Sequence, residues 1–591
     1  MSAVNAQWPG WLAQRTFGVE RGLWLVWAAA IAVYAPSLTH AAFLSDDVAI
    51  LATVDAWQQA GQLWPHVGDL FLERLPTGNN YYRPLPFVTF ALDLTWFGAK
   101  AIGWHGCNLA LHVVSTTCVY GLANRLLRRS GATNAPVSLV AALLFAVSPV
   151  GPEVVIWIAG RYDAMATAAV LLSLYWLARS RNGHDGAAVA SWCAAIIGLM
   201  SKESAAVIVP ISALVAMSAA EPPQGANSAP AGGSAAAKPQ AWGTHTSTAG
   251  YSSRSAVFVF SFLHRWLPFV ALAGAYVVWR WHLFGAPFRV YASHPVVWDV
   301  DVGIALRSAW QWFGGLVPQA PDRWLIVLLM AATMLWVARR ARLRSRATQV
   351  GIGATIAALI ALGLVLPHKG AFAATGEDAR FFYTSSAFIA LVLAVAGAPA
   401  VARHRSGAVG LALAGAIVVA ATFATVHNVG RWASAGDDMN ALLRELRAQA
   451  STLPPDAYAL VLIPDHLQAV PFGRNAQGGL VQPPLQPVSL STHLVPATPE
   501  DLGEWYGKLQ RGILPVLRSH SLDDAQRILL PPPVSAMPKE FVPSRYLCWK
   551  PEARRLATLS DIDASDASHW VASWRRALAA AGCQALARAV R

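Results

Sequence analysis

Two adjacent aspartates, Asp46 and Asp47, directly follow the first long apolar run of the chain. Neighbouring carboxylates at a membrane surface are costly to desolvate and repel each other, so such a pair suits a general base, a metal ligand or a binder of cations. Taken alone, the pair is more typical of a helix start, because aspartate is preferred at helix N-termini. The polar groups elsewhere in the chain decide between these interpretations.

Ionisable residues also lie at the ends of other apolar runs, and the predicted topology places them near the same membrane face as the aspartates. Charged residues that converge at one end of a helical membrane protein indicate a functional site. Arg161, Lys202 and Arg380 could bind an anionic phosphate while a carboxylate works beside it. This context favours chemistry over a simple helix cap for Asp46 and Asp47.

Two of these cations have an alternative, purely structural interpretation as members of local ion pairs. Arg161 could pair with Asp163 or with Glu153, and Lys202 could pair with Glu203. Both interpretations stay open at the level of the sequence.

Arg83 and two histidines carry similar alternatives. Arg83 could extend its side chain to lipid headgroups instead of binding a substrate. His105 and His112 are seven residues apart and therefore share one helical face. Without a partner for metal geometry, a core position or a structural hydrogen bond is the favoured interpretation of both histidines.

The elements that must position these residues are membrane helices. Of the 591 residues, 55% are hydrophobic and 13% are charged, whereas a soluble domain carries about 25% charged residues. Apolar runs of about 17–25 residues fit spanning helices and not barrel strands. The sequence therefore predicts an all-α polytopic membrane protein with about eleven spans. The predicted spans are 22–41, 106–127, 136–150, 163–179, 188–200, 204–219, 262–284, 323–339, 349–367, 382–402 and 406–426.

The net charge of +13 reflects this topology and does not indicate nucleic-acid binding. Arginine clusters stand beside apolar runs, as the positive-inside rule predicts for cytoplasmic loops. This rule places the N-terminus in the cytoplasm and puts residues 42–105, 151–162, 368–381 and everything after about 427 outside. Residues 303–319 are interpreted as an interfacial helix, and 188–219 as a tight hairpin or one kinked helix.

Two segments differ in composition from the membrane region of residues 1–429. Residues 220–256 are rich in small and polar residues and predict a flexible linker. Residues 430–591 predict a soluble α/β domain outside the membrane, with a strand near 457–463 and a helix near 568–577. Cys548 and Cys583 could pair there if the compartment is oxidising. No cysteine spacing fits a zinc site, and no cofactor or tightly bound metal is expected, although the second aspartate leaves room for a divalent ion.

Six short motifs follow one another in an order that resembles a known family. They are DDVAI at 46–50, YRPL at 82–85, HGCNLALH at 105–112, PVGPEVVIWIAGRYD at 149–163, SKE at 201–203 and ARFFY at 379–383. Together they resemble the tetratricopeptide-containing transmembrane O-mannosyltransferases and their bacterial relatives, which belong to the GT-C glycosyltransferases. The resemblance covers roughly residues 25–430 and implies a GT-C-like helical bundle.

The resemblance also implies a reaction, namely inverting sugar transfer from a polyprenyl-phosphate donor. On the matching positions, Asp46 or Asp47 is the expected base, Glu153 a second acidic residue, and Arg380 the cation near the donor phosphate. The chain departs from the family in two ways. The stretch before Glu153 lacks the usual histidine, and residues 430–591 replace the tetratricopeptide repeats.

The sequence thus predicts a polyprenyl-phosphate-sugar-dependent glycosyltransferase of the bacterial inner membrane, acting on an acceptor glycan, lipid or protein at the periplasmic face. The bacterial assignment rests on the high alanine and arginine content and the missing repeats. The alternatives are a transporter or flippase for lipid-linked sugars and a non-catalytic membrane scaffold. The expected catalytic residues are Asp46, Asp47 and Glu153. The residues expected to bind substrate are Arg83, His105, Arg161, Asp163, Lys202, Arg380 and Tyr383.

Overall fold

The chain is mostly helical, with a small sheet near its C-terminus. The computed structural model describes residues 15–16, 19–73, 81–128, 135–180, 185–220, 249–285, 346–363, 379–401, 406–455, 457–501, 516–518, 527–529, 543–560, 562 and 567–590. The described helices are α1 (Arg21–Leu38), α2 (Asp46–Gln59), α3 (Leu63–Asp69), α4 (Pro84–Phe97), α5 (Ala101–Arg128), α6 (Ala135–Ala146), α7 (Pro152–Val155), α8 (Arg161–Arg179), α9 (Gly186–Leu199), α10 (Ile208–Ala220), α11 (Ala249–Phe284), α12 (Arg346–Gly363), α13 (Tyr383–Val401), α14 (Ser406–Ala450), α15 (Ala567–Ala580) and α16 (Gln584–Ala589). The described strands are β1 (Arg15–Thr16), β2 (Val19–Glu20), β3 (Ala459–Leu462), β4 (His466–Leu467), β5 (Val470–Pro471), β6 (Leu494–Ala497), β7 (Val516–Arg518), β8 (Arg527–Leu529), β9 (Arg545–Lys550) and β10 (Arg555–Leu559).

Three of the described helices are long and apolar enough to cross a membrane: α1, most of α5 and residues Phe258–Phe284 of α11. The last of these buries only 11% of its most apolar window inside the protein, which suits a helix whose sides face lipid. Shorter apolar helices account for most of the other predicted spans. The predicted span 323–339 and the predicted interfacial helix 303–319 lie outside the described residues, so the number of about eleven spans stays a prediction.

Two boundaries differ from the sequence prediction. Helix α11 already begins at Ala249, so the last part of the predicted linker 220–256 is helical. The SerAlaValPheValPhe run that follows can continue a helix without a break, and the composition average over the linker concealed this. The region 188–219 is divided into α9 and α10 by a 3-10 turn at Glu203–Val207, which places a charged residue between two apolar helices.

Helix α14 connects the membrane region to the C-terminal domain without interruption. It contains 45 residues and is therefore about 68 Å long. Its first half is apolar, whereas its second half carries charged and polar residues such as Asp438 and Glu445. The change in composition near residue 430 thus lies within one continuous helix.

The C-terminal domain is a mixed four-stranded sheet with helices on both faces, in the order β10-β9-β3-β6. Strand β3 pairs in parallel with β6 and with β9, and β9 pairs antiparallel with β10. Alternate residues of β3 point to opposite faces. Leu460 and Leu462 pack towards Trp574 of α15, whereas Ala459 and Val461 share a core with Leu442 of α14. These contacts confirm the predicted strand and the predicted C-terminal helix.

A disulfide and a shared core hold this domain in place. Cys548 of β9 and Cys583, which the sequence offered as a possible pair, are bonded, with an S–S distance of 2.01 Å. The core that contains Val461 continues without a break to Val48 and Leu51 of α2. The C-terminal domain therefore packs directly on the segment that carries the aspartate pair.

Candidate functional site

The two aspartates open helix α2 and occupy different environments. Asp47 is 1% exposed, and its carboxylate accepts hydrogen bonds from the backbone of Ala159 at 2.7 Å, Leu44 at 3.2 Å and Ile158 at 3.4 Å. Burial raises the pKa of the Asp47 carboxyl well above its ordinary value and outweighs the opposing effect of these N–H groups. Asp47 therefore joins the start of α2 to the 158–160 turn and has no free oxygen for a substrate.

Asp46 is half-buried and faces outward from the same helical turn. Its Oδ1 accepts a hydrogen bond from the side-chain amide of Asn475 at 2.7 Å. Within the described part of the chain, its Oδ2 makes no hydrogen bond. One oxygen of this half-exposed carboxylate is thus anchored, and the other could accept a proton or a hydrogen bond.

Both aspartates directly follow a turn with an unusual backbone conformation. Ser45 precedes α2 with a φ of 51°, in the left-handed region that non-glycine residues rarely adopt. Its backbone N–H donates to Phe472 O at 2.8 Å, and its hydroxyl donates to Arg474 O at 2.8 Å. These two bonds from the C-terminal domain hold the turn in this conformation.

The segment 152–163 forms the opposite wall of the site. The side-chain amide of Asn108 donates to Trp157 O at 2.7 Å and to Val154 O at 3.2 Å. At Gly160 a Cβ atom would lie 2.6 Å from Glu153 O, so only glycine fits this close turn. The turn brings the N–H groups of residues 158 and 159 to Asp47.

Glu153 and Arg380 form an ion pair in this wall. Oε1 of Glu153 accepts from Arg380 Nη1 at 3.0 Å, and Oε2 accepts from the Arg380 backbone at 3.0 Å. Glu153 is 3% exposed, so the carboxylate anchors the arginine and its own oxygens are occupied.

Trp157 connects Arg380 to the aspartate turn. Its indole N–H donates to Leu44 O at 3.2 Å, and the Arg380 guanidinium lies 4.5 Å from its ring centroid. A guanidinium over an indole face is a favourable cation–π arrangement. The Trp157 ring therefore links Arg380 to Leu44, which lies two residues before Asp46.

A second cation, Lys202, lies next to Arg380. The Lys202 ammonium is 4.8 Å from the centroid of the Phe381 ring, and the Arg380 guanidinium is 5.0 Å from the same centroid. Lys202 also contacts both carboxylate oxygens of Asp163 at 2.6 Å. Burial lowers the pKa of Lys202, and the positive charges of Arg83 and Arg380 add to this effect against the attraction of Asp163. The buried Lys202–Asp163 ion pair therefore lies directly beside the Arg380–Glu153 ion pair.

Arg83 is the third cation at this end of the bundle. It donates to Glu203 Oε2 from Nε at 3.0 Å and from Nη2 at 2.7 Å, while Arg280 of α11 donates to Glu203 Oε1 at 3.2 Å. The Arg83 guanidinium also lies 4.0 Å from the Tyr81 ring and 5.1 Å from the Tyr162 ring. Two arginines share one carboxylate, which leaves a net positive charge at this position.

Arg161 belongs to a separate buried cluster. It is 0% exposed and forms an ion pair with Asp93. It also donates to Asn108 Oδ1 at 2.7 Å, to Trp104 O at 2.7 Å and to Thr89 Oγ1 at 3.3 Å. These bonds join α4, α5 and α8, so this arginine fixes the helices and does not face a ligand.

His105, His112 and Tyr383 are likewise enclosed by protein. His105 Nε2 lies 3.1 Å from Ala42 O. His112 Nε2 lies 3.0 Å from Ala146 O, which makes it the donor, and its Nδ1 then accepts from the Tyr383 hydroxyl at 2.6 Å. The geometry of both histidines agrees with the structural interpretation, and it places the Tyr383 hydroxyl in the same role.

The structure corrects the ion pairs that the sequence suggested. Arg161 pairs with Asp93 and not with Asp163 or Glu153, and Lys202 pairs with Asp163 and not with its neighbour in the chain. Sequence reasoning missed Asp93, although a lone acidic residue within the apolar run of α4 was an available signal. It also missed Asn475, for which the loop composition offered no signal.

Among the described residues, no three His, Cys, Asp or Glu side chains converge as a group that could hold a metal ion. Among the described residues of this site, carboxylates and cations lie side by side. Each buried carboxylate either pairs with a basic side chain or accepts a hydrogen bond from a backbone N–H group. The arrangement suits binding of an anionic group beside one available carboxylate.

Comparison with known proteins confirms the resemblance to the O-mannosyltransferases. Human protein O-mannosyl-transferase TMTC4 is 31% identical over 178 residues, which make up 28% of this chain and 24% of that protein. Human TMTC1 is 32% identical over 19% of this chain and 12% of its own length, and Drosophila melanogaster Tmtc1 is 32% identical over 21% and 14%. The similarity thus spans a quarter or less of the length of these curated relatives. No protein-family model matches the chain.

Solved structures with a distantly similar fold are also known. ArnT from Cupriavidus metallidurans bound to undecaprenyl phosphate aligns with 84% of this chain and 96% of its own, at 13% identity and a TM-score of 0.39. The archaeal oligosaccharyltransferase AglB from Archaeoglobus fulgidus, in complex with an inhibitory peptide and a dolichol-phosphate, aligns with 75% of this chain and 62% of its own. Its identity is 10% and its TM-score is 0.34.

Proposed function

We propose that this protein is a membrane glycosyltransferase that moves a sugar from a polyprenyl-phosphate donor to an acceptor hydroxyl, with Asp46 as the general base. The observation that carries the proposal is the placement of one available carboxylate beside a cluster of cations. Asp46 Oδ2 accepts no hydrogen bond from the described residues, and Trp157 contacts both the Arg380 guanidinium and Leu44 O, two residues before Asp46. The sequence similarity to proteins named O-mannosyl-transferases supports the same reaction class.

Side chains of this chain can supply the proton transfer and the charge stabilisation that the reaction needs. As the acceptor oxygen bonds to the anomeric carbon, Asp46 Oδ2 takes the hydroxyl proton. The bond from the anomeric carbon to the phosphate oxygen breaks, and its electron pair leaves with the phosphate. Arg380 and Lys202, with Arg83 nearby, stabilise that growing negative charge. Attack from the side opposite the phosphate inverts the anomeric configuration.

The proposed setting is the outer face of a bacterial inner membrane, with the N-terminus in the cytoplasm. A donor with a polyprenyl tail enters sideways from the lipid, which fits a site at the ends of apolar helices. The Cys548–Cys583 disulfide supports an oxidising compartment for the C-terminal domain. The acceptor in this proposal is a glycan, a lipid or a protein, and the outer leaflet supplies the surrounding lipids.

The experiment is in vitro transfer with the purified full-length protein and a panel of radiolabelled polyprenyl-phosphate hexoses. Removal of the Arg380 charge is expected to raise the KM for the donor at least tenfold, because a charge-assisted contact to phosphate is lost. Arg125→Ala is the matched control, because that arginine lies at the other end of α5 and donates to Ala178 O. Absence of transfer with every donor of the panel would contradict the proposal.

A double variant separates donor binding from the ion pair. Arg380→Gln leaves Glu153 buried without its cation, whereas Arg380→Gln combined with Glu153→Gln restores a neutral hydrogen-bonded pair. The double variant is expected to recover stability while the donor KM stays high. Recovery of both stability and donor KM would show that Arg380 acts only through folding.

A further inference from the structure

We propose that the C-terminal domain supplies a positioning residue, Asn475, that completes the catalytic site from outside the membrane region. This inference rests on the proposed role of Asp46 as the base.

The 472–475 segment makes three hydrogen bonds to two consecutive residues of the aspartate turn. The carbonyls of Phe472 and Arg474 accept from the Ser45 backbone and hydroxyl, each at 2.8 Å. The amide of Asn475 then donates to Asp46 Oδ1 at 2.7 Å. A carboxylate held at one oxygen cannot rotate freely, so Oδ2 keeps a fixed direction for the acceptor hydroxyl.

Both sides of this contact are held in unusual backbone conformations. Ser45 has a φ of 51° and Asn475 a φ of 60°. Asparagine is among the few residues that tolerate the left-handed region, and it alone among the residues of this segment carries an amide that can donate to a carboxylate. Residues in such conformations persist only where the surroundings over-determine them, and they cluster at functional sites.

The packing behind the segment keeps it in register with α2. A Cβ atom on Gly479 would lie 2.5 Å from Val48 Cγ1, so the loop approaches the first turn of α2 as closely as glycine permits. On the other side, Gly436 of α14 lies so close to His40 that a Cβ atom would overlap its carbonyl oxygen. The domain is therefore fitted against the chain on both sides of the aspartates and is not loosely tethered.

This arrangement makes Asn475 a positioning residue for the proposed base. It does not touch the donor or the acceptor in this assignment, and it acts through Asp46. Among the described residues, the Asp47 carboxyl and the Tyr162 phenol interact electrostatically with Asp46.

Two substitutions test the assignment without disturbing the backbone. Asn475→Gly keeps the left-handed conformation and removes the amide, and Asn475→Asp keeps both shape and conformation but places a second carboxylate against Asp46. The matched control is Gln477→Ala, two residues along the loop, because the Gln477 amide donates to Asp501 at 2.8 Å and not to Asp46. All variants are purified as full-length protein, with Tm measured alongside transfer.

Asn475→Gly is expected to lower kcat about tenfold or more with little change in the donor KM, because a hydrogen bond to a charged group is lost. Asn475→Asp is expected to move the acidic limb of the pH–rate profile to higher pH, because two carboxylates in contact share a proton. A purely structural role would lower Tm and leave the pH profile in place. Gln477→Ala is expected to match the wild type.

The outcomes also separate this inference from the proposed function. If Asp46→Asn is inactive while both Asn475 variants retain the wild-type kcat and pH profile, Asn475 has no positioning role and the base assignment stands. If Asp46→Asn is fully active, the base assignment itself fails. A fall in kcat in either Asn475 variant that tracks only a loss of folded protein would likewise overturn the positioning role.

Discussion

The isosteric substitutions Asp46→Asn and Asp47→Asn are expected to fail in different ways, although the two residues are adjacent. Asp46→Asn removes the proton acceptor from a half-exposed position, and its amide oxygen can still accept from Asn475. The loss of a charge in the first turn of α2 costs less than about 1 kcal/mol. Transfer is expected to fall by about 10²- to 10⁴-fold, the usual contribution of a general base.

Asp47→Asn is expected to lower the stability of the protein and to leave the proposed base in place. Three backbone N–H groups point at the two oxygens of this buried carboxylate, and Ala159 alone bonds to Oδ1 at 2.7 Å. An amide has only one acceptor atom, so at least one N–H group would face the new NH₂ group. Leaving a buried donor unpaired costs about 1–3 kcal/mol. The neutral amide avoids the burial of a charge, which offsets part of this cost.

The assay measures transfer and Tm on the same purified preparations. Asp46→Asn should retain the wild-type Tm with almost no transfer, and Asp47→Asn should have a lower Tm with transfer proportional to the folded fraction. The reverse pattern, an active Asp46→Asn beside a stable and inactive Asp47→Asn, would refute the assignment of roles from burial and hydrogen bonding.

Three further outcomes follow from the contacts described above. Replacement of Cys548 and Cys583 by serine opens a loop with a sequence separation of 35. This change should destabilise the C-terminal domain by about 3–4 kcal/mol and lower its Tm. An unchanged Tm would contradict this expectation. Arg161→Met leaves Asp93 buried without its cation and should cost about 3–5 kcal/mol, whereas addition of Asp93→Leu should recover part of the lost Tm, because the other acceptors of Arg161 stay without their donor in both variants; no recovery in the double variant would argue against the ion pair as the cause. Burial lowers the pKa of Lys202, so donor affinity should fall as the pH rises through a value below 10.5. Lys202→Arg should remove this loss of affinity at high pH, since arginine stays charged. The same pH dependence in both proteins would show that another group is responsible.

The sequence predicted the helical framework well, because apolar runs of spanning length have few structural solutions. The strand near residue 460 and the helix near 570 were also found, since β-branched and leucine-rich runs alternate with turns there. The aspartate pair does open a helix, which is the interpretation that the sequence context had set aside in favour of a chemical role.

The partners of the charged residues could not be predicted in the same way. Groups one or two positions apart, such as Lys202 and Glu203, look like natural pairs in a sequence but point in different directions on the folded backbone. The observed partners of Lys202 and Arg161 come from other helices, 39 and 68 residues away. Helix rotation and crossing decide which side chains meet, and neither is encoded in local pattern.

The contact between Asp46 and Asn475 joins positions separated by 429 residues. The chain emerges from the ribosome with its N-terminus first, so the aspartate turn is made and inserted long before the segment that supports it exists. Until the 472–475 segment is synthesised, Ser45 lacks the two hydrogen bonds that hold its backbone in the left-handed region. These bonds cannot stabilise the final conformation of the turn before then. The site is therefore assembled last, when the sheet closes over the membrane region. A truncated chain that ends before residue 472 would carry all the described helices from α1 to α14 and still lack the finished turn.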